Sequence, residues 1–165
     1  METILSILLE NEAGSLSRII GLFSQRAFNI ESLTVAAIED KSLSRITIVT
    51  TGDHKVIEQI TKQVNKLVDV LKVTELSTAP HIEQELMFVK LNASTPVMRD
   101  EIIRTTEIFR GQIIDSTNKI YTVQLTGKKE KLNAFIRSIK QQSDIIETVR
   151  SGCVAIARGE RALKV

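Results

Sequence analysis

The chain has 165 residues, with 22 Lys and Arg against 20 Asp and Glu, a formal net charge of +2 and a single cysteine. Charge this close to balance excludes a partner chosen by bulk electrostatics, such as nucleic acid or an anionic membrane. One cysteine excludes an intrachain disulfide framework and fits a reducing cytoplasm. Aromatic residues are 4% with no Trp, too few for the stacking surfaces that hold single-stranded nucleic acid, so the core must be aliphatic. The length suits one domain, or two of about 75 to 80 residues.

The first apolar run, Ile4 to Leu9, is cut short by Glu10 and does not make a signal-peptide core. No stretch approaches the ~20 apolar residues of a membrane span. Thr3 to Glu10 predicts a strand. A loop follows at Asn11-Glu12-Ala13-Gly14-Ser15, and then Leu16, Ile19, Ile20 and Phe23 fall on one face of a helix. Asn29 to Ala37 and Leu43 to Thr51 flank the turn Glu39-Asp40-Lys41-Ser42 as a hairpin. Asp53 can cap a helix carrying Val56, Ile57, Ile60, Val64, Leu67 and Val68, and Val70 to Leu76 returns to strand. The first half therefore reads βαββαβ.

Ser77-Thr78-Ala79-Pro80-His81 is a breaker cluster, which sets the expected domains at 1–77 and 78–165. The same order then returns. Glu85 to Asn92 predicts a strand, Val97 to Arg110 a helix with Pro96 in its first turn, and Gln112 to Ser116 with Ile120 to Thr126 a hairpin. Lys128 to Gln142 predicts a helix built on Leu132, Phe135, Ile136 and Ile139, and Ile145 to Ile156 the closing strand. The fold class is α+β, two ferredoxin-like βαββαβ sandwiches in tandem. Units this small leave a sheet face and edge strands in need of cover, for which oligomerisation is the expected source.

No catalytic constellation emerges. His54 and His81 lack neighbours at metal-ligand spacing, Cys153 lies in an apolar run, and Glu10, Glu12, Glu31, Glu39 and Asp40 read as solvated strand-end and turn charges. Lys128, Lys129, Arg158, Arg161 and Lys164 read as solvated bases, and no helix-turn-helix precedes either unit. The loop at Gly14 differs. A helix N-terminus leaves backbone N–H groups unpaired, and a glycine lets a ligand carboxylate come close to them. The plainer alternative is that Gly14 only permits the turn and Ser15 only caps the helix.

The segments "LLENEAGSLSRIIGLFSQR", "NIESLTV", "LSRITI", "KLVDVLKV", "EIFRGQIID" and "SGCVAIARG" together resemble the small regulatory subunit family of bacterial acetolactate synthase (acetohydroxyacid synthase), along nearly the whole chain. The resemblance implies that the first domain is an ACT domain, an amino-acid sensor that pairs side by side with a second copy. It also implies a non-catalytic subunit with neither catalytic nor metal residues, which activates a catalytic large subunit and confers valine feedback inhibition. Thiamine diphosphate, magnesium and FAD would belong to that partner and not to this chain. Carried over residue by residue, the valine site would comprise Asn11, Ala13, Gly14, Ser15 and Leu16, with Asn29 and Ile30 from the neighbouring protomer. The asparagines would meet the zwitterion, and Leu16 and Ile30 its isopropyl group.

Two departures stand out. Ala27 occupies a position where the family commonly has glycine, so a left-handed helix stop there would cost more unless another geometry is used. Thr95-Pro96 is unusual for the corresponding second-domain loop, and no ligand is expected there. Two other readings remain: a free-standing ACT module serving another enzyme, and a small ferredoxin-like hydrolase using Asn11 with Arg18.

Overall fold

The computed structural model describes residues 1–165, and the chain divides into two compact units, Met1–Ile82 with Cys153–Val165, and Glu83–Gly152. The first contains β1 (Glu2–Glu10), α1 (Ser15–Gln25), β2 (Asn29–Ala37), β3 (Leu43–Thr51), α2 (His54–Asn65) and β4 (Val70–Glu75). Its antiparallel sheet has the order β2-β3-β1-β4. The second repeats it with β5 (His81–Asn92), α3 (Pro96–Ile108), β6 (Gln112–Ser116), β7 (Ile120–Gly127), α4 (Lys129–Ile139) and β8 (Ile145–Arg150), in the order β6-β7-β5-β8. The tandem βαββαβ expectation therefore describes the elements and their order.

Each unit has its own aliphatic core. In the first, Leu5, Ile7 and Leu9 of β1 and Ile46 and Ile48 of β3 pack with Ile19 and Phe23 of α1 and Ile57, Ile60 and Val64 of α2. Burying each such side chain contributes about 1.5–3 kcal/mol before conformational entropy is subtracted. In the second, Met87, Val89 and Leu91 meet Ile102, Leu132, Phe135 and Ile139. An edge-to-face aromatic pair closes each core, Phe23 with Phe28 at 6.0 Å and Phe109 with Phe135 at 5.5 Å.

The closing strand departs from expectation. The run from Ile145 to Ile156 is not one strand: β8 ends at Arg150, and β9 (Val154–Ala157) begins after Ser151-Gly152-Cys153. Gly152 adopts φ 85°, a left-handed turn that an extended ladder cannot continue through. Beyond it the chain rejoins the first unit, so that unit includes Cys153–Val165, although the linker composition had set its limit at 77. Arg158 N donates to Pro80 O at 3.0 Å, Thr34 Oγ1 to Cys153 O at 3.1 Å, and Ala155 packs on Ile4, Val49 and Leu76. Part of the sheet face expected to need a second copy is thus covered by the chain's own tail. That explains why residues 3 to 9 of β1 are buried without alternation.

Helix ends differ by smaller amounts. α2 stops at Asn65, and of the two residues assigned to its continuing stripe, Leu67 packs on the core while Val68 is 87% exposed. α1 ends with Ala27 at φ 54°, and α3 ends with Arg110 at φ 58°. The same left-handed stop thus recurs at equivalent points of the two repeats, and Ala27 adopts it despite its Cβ.

Candidate functional site

The loop between β1 and α1 is held from two sides. Asn11 N donates to Ser42 O at 2.7 Å, and Asn11 Nδ2 to Lys41 O at 3.0 Å. This ties the loop to the β2–β3 turn. That turn is itself fixed by Asp40, whose Oδ1 accepts from Ser42 N at 3.0 Å and Ser42 Oγ at 2.7 Å. These bonds hold the Asp40 carboxyl below the usual carboxylate range, the hydroxyl contributing most and the backbone N–H next.

Gly14 is the N-cap of α1, at φ 86° and ψ −7°. Ser15 is therefore the first helical residue and not the cap, contrary to the plainer reading, and no side chain caps this end. Among residues 15 to 18, Ser15 N reaches Glu12 O at 3.2 Å and Arg18 N reaches Gly14 O at 3.0 Å. The N–H groups of Leu16 and Ser17 have no such acceptor. Ser15 is 3% exposed and its Oγ makes no hydrogen bond. A buried hydroxyl in that state is uncommon.

The corresponding loop of the second unit is built differently. Thr95 Oγ1 caps α3 through Met98 N at 3.2 Å, Asn92 Oδ1 accepts from Ser94 N at 3.1 Å, and Pro96 removes one donor. Its first turn has little left to offer an anion.

Asn29 and Ile30 lie elsewhere in the chain. Asn29 pairs with Thr51, and Thr51 with Glu2, so Asn29 stands at the end of the sheet where β1 begins. The Gly14 loop follows Glu10, where β1 finishes, and eight residues of strand separate the two ends by about 26 Å. One copy of the chain therefore does not bring the seven positions together. β2 is an edge strand. Asn29 Nδ2 donates to Glu31 Oε1 at 2.6 Å and Thr51 Oγ1 at 3.1 Å. The side-chain amide nitrogens of Asn11 and Asn29 are thus both engaged, which leaves their carbonyl oxygens as the side-chain groups available to accept. Leu16 and Ile30 are half-buried against the core, and Ala13 is exposed.

Arg18, read only as a partner of Asn11 in the hydrolase alternative, meets at this loop a residue that was not read as part of it, Asp69. Arg18 Nε donates to Asp69 Oδ2, and Asp69 O accepts from Glu10 N at 2.9 Å. The ion pair raises the Arg18 pKa, chiefly through that hydrogen bond. Asp69 is 51 residues away in sequence, and periodicity gave no sign of it. With Arg18 held by Asp69 and the Asn11 amide held by Lys41, the pair invoked for a hydrolase is engaged in structural contacts. No group of three or more His, Cys, Asp or Glu residues is arranged to hold a metal ion, and no helix is long and apolar enough to cross a membrane.

The first unit's strand order, its two helices and its uncapped, glycine-led first helix define an ACT-type domain. Residues 5–72 match the family model of the AHAS small subunit-like ACT domain, and residues 84–159 that of the small subunit of acetolactate synthase. The chain is 58% identical to the acetolactate synthase isozyme 3 small subunit of Escherichia coli K12, over 99% of this chain and 100% of that one. It is 55% identical to the acetolactate synthase small subunit of Haemophilus influenzae, over 98% of each. A crystal structure of the acetolactate synthase small subunit from Thermotoga maritima, 38% identical, superposes with a TM-score of 0.88 and covers 98% of this chain and 99% of that one. The chain belongs to the acetolactate synthase small-subunit family.

Proposed function

We propose that this chain is the non-catalytic regulatory subunit of a cytoplasmic acetolactate synthase, activating the catalytic large subunit and conferring inhibition by valine. The observation that carries this reading is the uncapped start of α1. Free N–H groups beside Gly14 suit a carboxylate, and the unengaged carbonyl oxygens of Asn11 and Asn29 suit an ammonium. Together they complement an α-amino acid zwitterion, with Leu16 and Ile30 as the apolar wall for its side chain.

A two-fold dimer supplies the missing half. Pairing β2 with the β2 of a second copy, antiparallel and centred near Leu33, sets one protomer's Asn29 and Ile30 opposite the other's Ala37 and Ala36. Ala37 pairs with Ser44, and Leu43 with Glu10, at the end of the sheet that carries the Gly14 loop. Such pairing also satisfies the open edge of β2, and its symmetry yields two equivalent sites. In this reading thiamine diphosphate, magnesium and FAD reside in the catalytic partner.

Valine acts by binding more tightly to the less active of two states of the assembly. The test is reconstitution: the large subunit is assayed for acetolactate formation alone, with this chain, and with this chain plus valine. Activation by the chain and its reversal by valine are expected. An unchanged rate at saturating amounts of this chain would refute the regulatory reading.

A further inference from the structure

The tail of the first unit partly covers a cavity whose lining is separate from the Gly14 loop. A space of about 270 Å³ lies between the sheet and the tail and is lined by Arg45 of β3, Lys72 of β4 and Arg161 of the tail. Arg45 and Lys72 stand on one row of the sheet, since both pair with Leu8 of β1. Thr74 adds a hydroxyl, and Leu76 and Leu163 supply apolar wall. Three basic residues and no acidic residue line the space.

Arg45 is the informative member. It is half-buried, and its side-chain bonds run to neutral acceptors, Nε to Ser6 Oγ at 2.9 Å and Nη2 to Ala155 O at 3.0 Å. Burial lowers its pKa with no acid to offset the effect. A partly desolvated guanidinium held this way keeps further N–H donors available in a fixed, planar arrangement, which matches phosphate and carboxylate oxygens. The alternative of a merely solvated basic surface does not account for a guanidinium drawn under the tail.

We propose that this cavity is a binding site for a small, multiply charged anion, of phosphoryl or tricarboxylate chemistry, distinct from the Gly14 loop. Arg45 provides the fixed donor, and Lys72 and Arg161 neutralise the remaining charge. Because Arg45 bonds to Ala155 and Arg161 belongs to the same tail, an anion bound here bridges β3, β4 and the tail. Occupancy therefore strengthens attachment of Cys153–Val165 to the sheet.

The experiment uses the full chain and two probes, inorganic pyrophosphate and citrate, titrated calorimetrically against chloride at matched ionic strength. Saturable binding of at least one probe is expected, weakening as salt rises, and the better binder identifies the chemistry. Lys72→Gln and Arg161→Gln, both at exposed positions, should each raise the Kd about tenfold or more. Their thermal midpoints in chloride should match that of the parent. Arg45→Lys, which keeps the charge and loses the planar fork, should weaken binding comparably. Two results overturn the proposal: no saturable binding of either probe at millimolar concentration, or affinities that the Lys72 and Arg161 substitutions leave unchanged. Valine binding is measured alongside and should not respond to these substitutions, so failure here is separable from failure at the Gly14 loop.

Discussion

Arg18, in the first turn of α1, is hydrogen-bonded through Nε to Oδ2 of Asp69, and the two partners differ sharply in exposure, 48% for the Arg18 side chain and 10% for that of Asp69. The contact anchors the start of α1 to the approach of β4. Asymmetric burial gives the two deletions unequal consequences. Arg18→Ala leaves a nearly buried carboxylate without its cation, whereas Asp69→Asn leaves an arginine that water can solvate. Thermal unfolding at neutral pH should rank Arg18→Ala as the more destabilised of the two. The reverse order would mean that the ion pair does not anchor this helix.

Gly14→Asp tests the ligand reading. An added Cβ would sit 3.0 Å from Arg18 Nη1, the mobile end of a long side chain, and φ +86° strains any side chain there, although Asp and Asn tolerate this region better than most. The new carboxylate would repel a ligand carboxylate at the free N–H groups. Loss of one charge-assisted hydrogen bond, about 1.5–3 kcal/mol, already corresponds to roughly one to two orders of magnitude in affinity. Gly14→Asn repeats the backbone strain without the charge and should bind valine more tightly than the Asp variant. Asn29→Ala should weaken binding less than Gly14→Asp, since it removes a single side-chain contact. The Asp protein should still activate the large subunit and resist valine. Unaltered valine affinity by calorimetry would reduce the loop to a turn.

Ala27→Gly should stabilise the first unit. A left-handed alanine is strained by about 1–2 kcal/mol, and glycine's greater freedom in the unfolded chain takes back roughly 0.5–1. The net gain, about 0.5–1 kcal/mol, corresponds to a rise in Tm of about 2–4 °C at most for a chain of this size. A fall in Tm would indicate that the Ala27 methyl group contributes packing that outweighs its strain.

The Asp40 turn should respond to acid. Because the folded-state pKa of Asp40 is depressed, its contribution is fully present above the ordinary carboxylate pKa and is lost as pH falls through the lowered value. The Ser42 amide resonance should titrate with a midpoint below that of an exposed aspartate, and Asp40→Asn should abolish the titration. The Asn11 amide, which donates to Ser42 O, should shift in parallel. A midpoint at the ordinary value would contradict the bonded turn.

Much of the fold could be read from local pattern because the repeat is local. Leu16, Ile19 and Phe23 mark α1, Asp53 does cap α2 through Val56 N at 2.9 Å, and the loop at Gly14 stood out as a run of small residues. What escaped reading was long-range. β1 is buried on both faces, and nothing local named Ala155 as part of that cover. Gly152, inside the run read as one strand, was the available sign that one strand was two. At the site, the free donors followed from the absence of a capping side chain, whereas the Asp69 partner of Arg18 depended on tertiary folding alone.

The return of the tail also bears on how the molecule is made. Ala155 meets Ile4 across about 150 residues of chain, a contact whose closure is slow compared with the hairpins around it. At translation rates of about 5–20 residues per second, the roughly 80 residues from the end of the first unit's β4 to Ala155 take about 4 to 16 s to appear. For that interval the nascent sheet presents Ile4 and Val49 without their cover. The first unit is thus the earlier to begin folding and the later to finish, and its uncovered face is the surface through which a chaperone, or misassembly with a neighbouring nascent chain, would gain access.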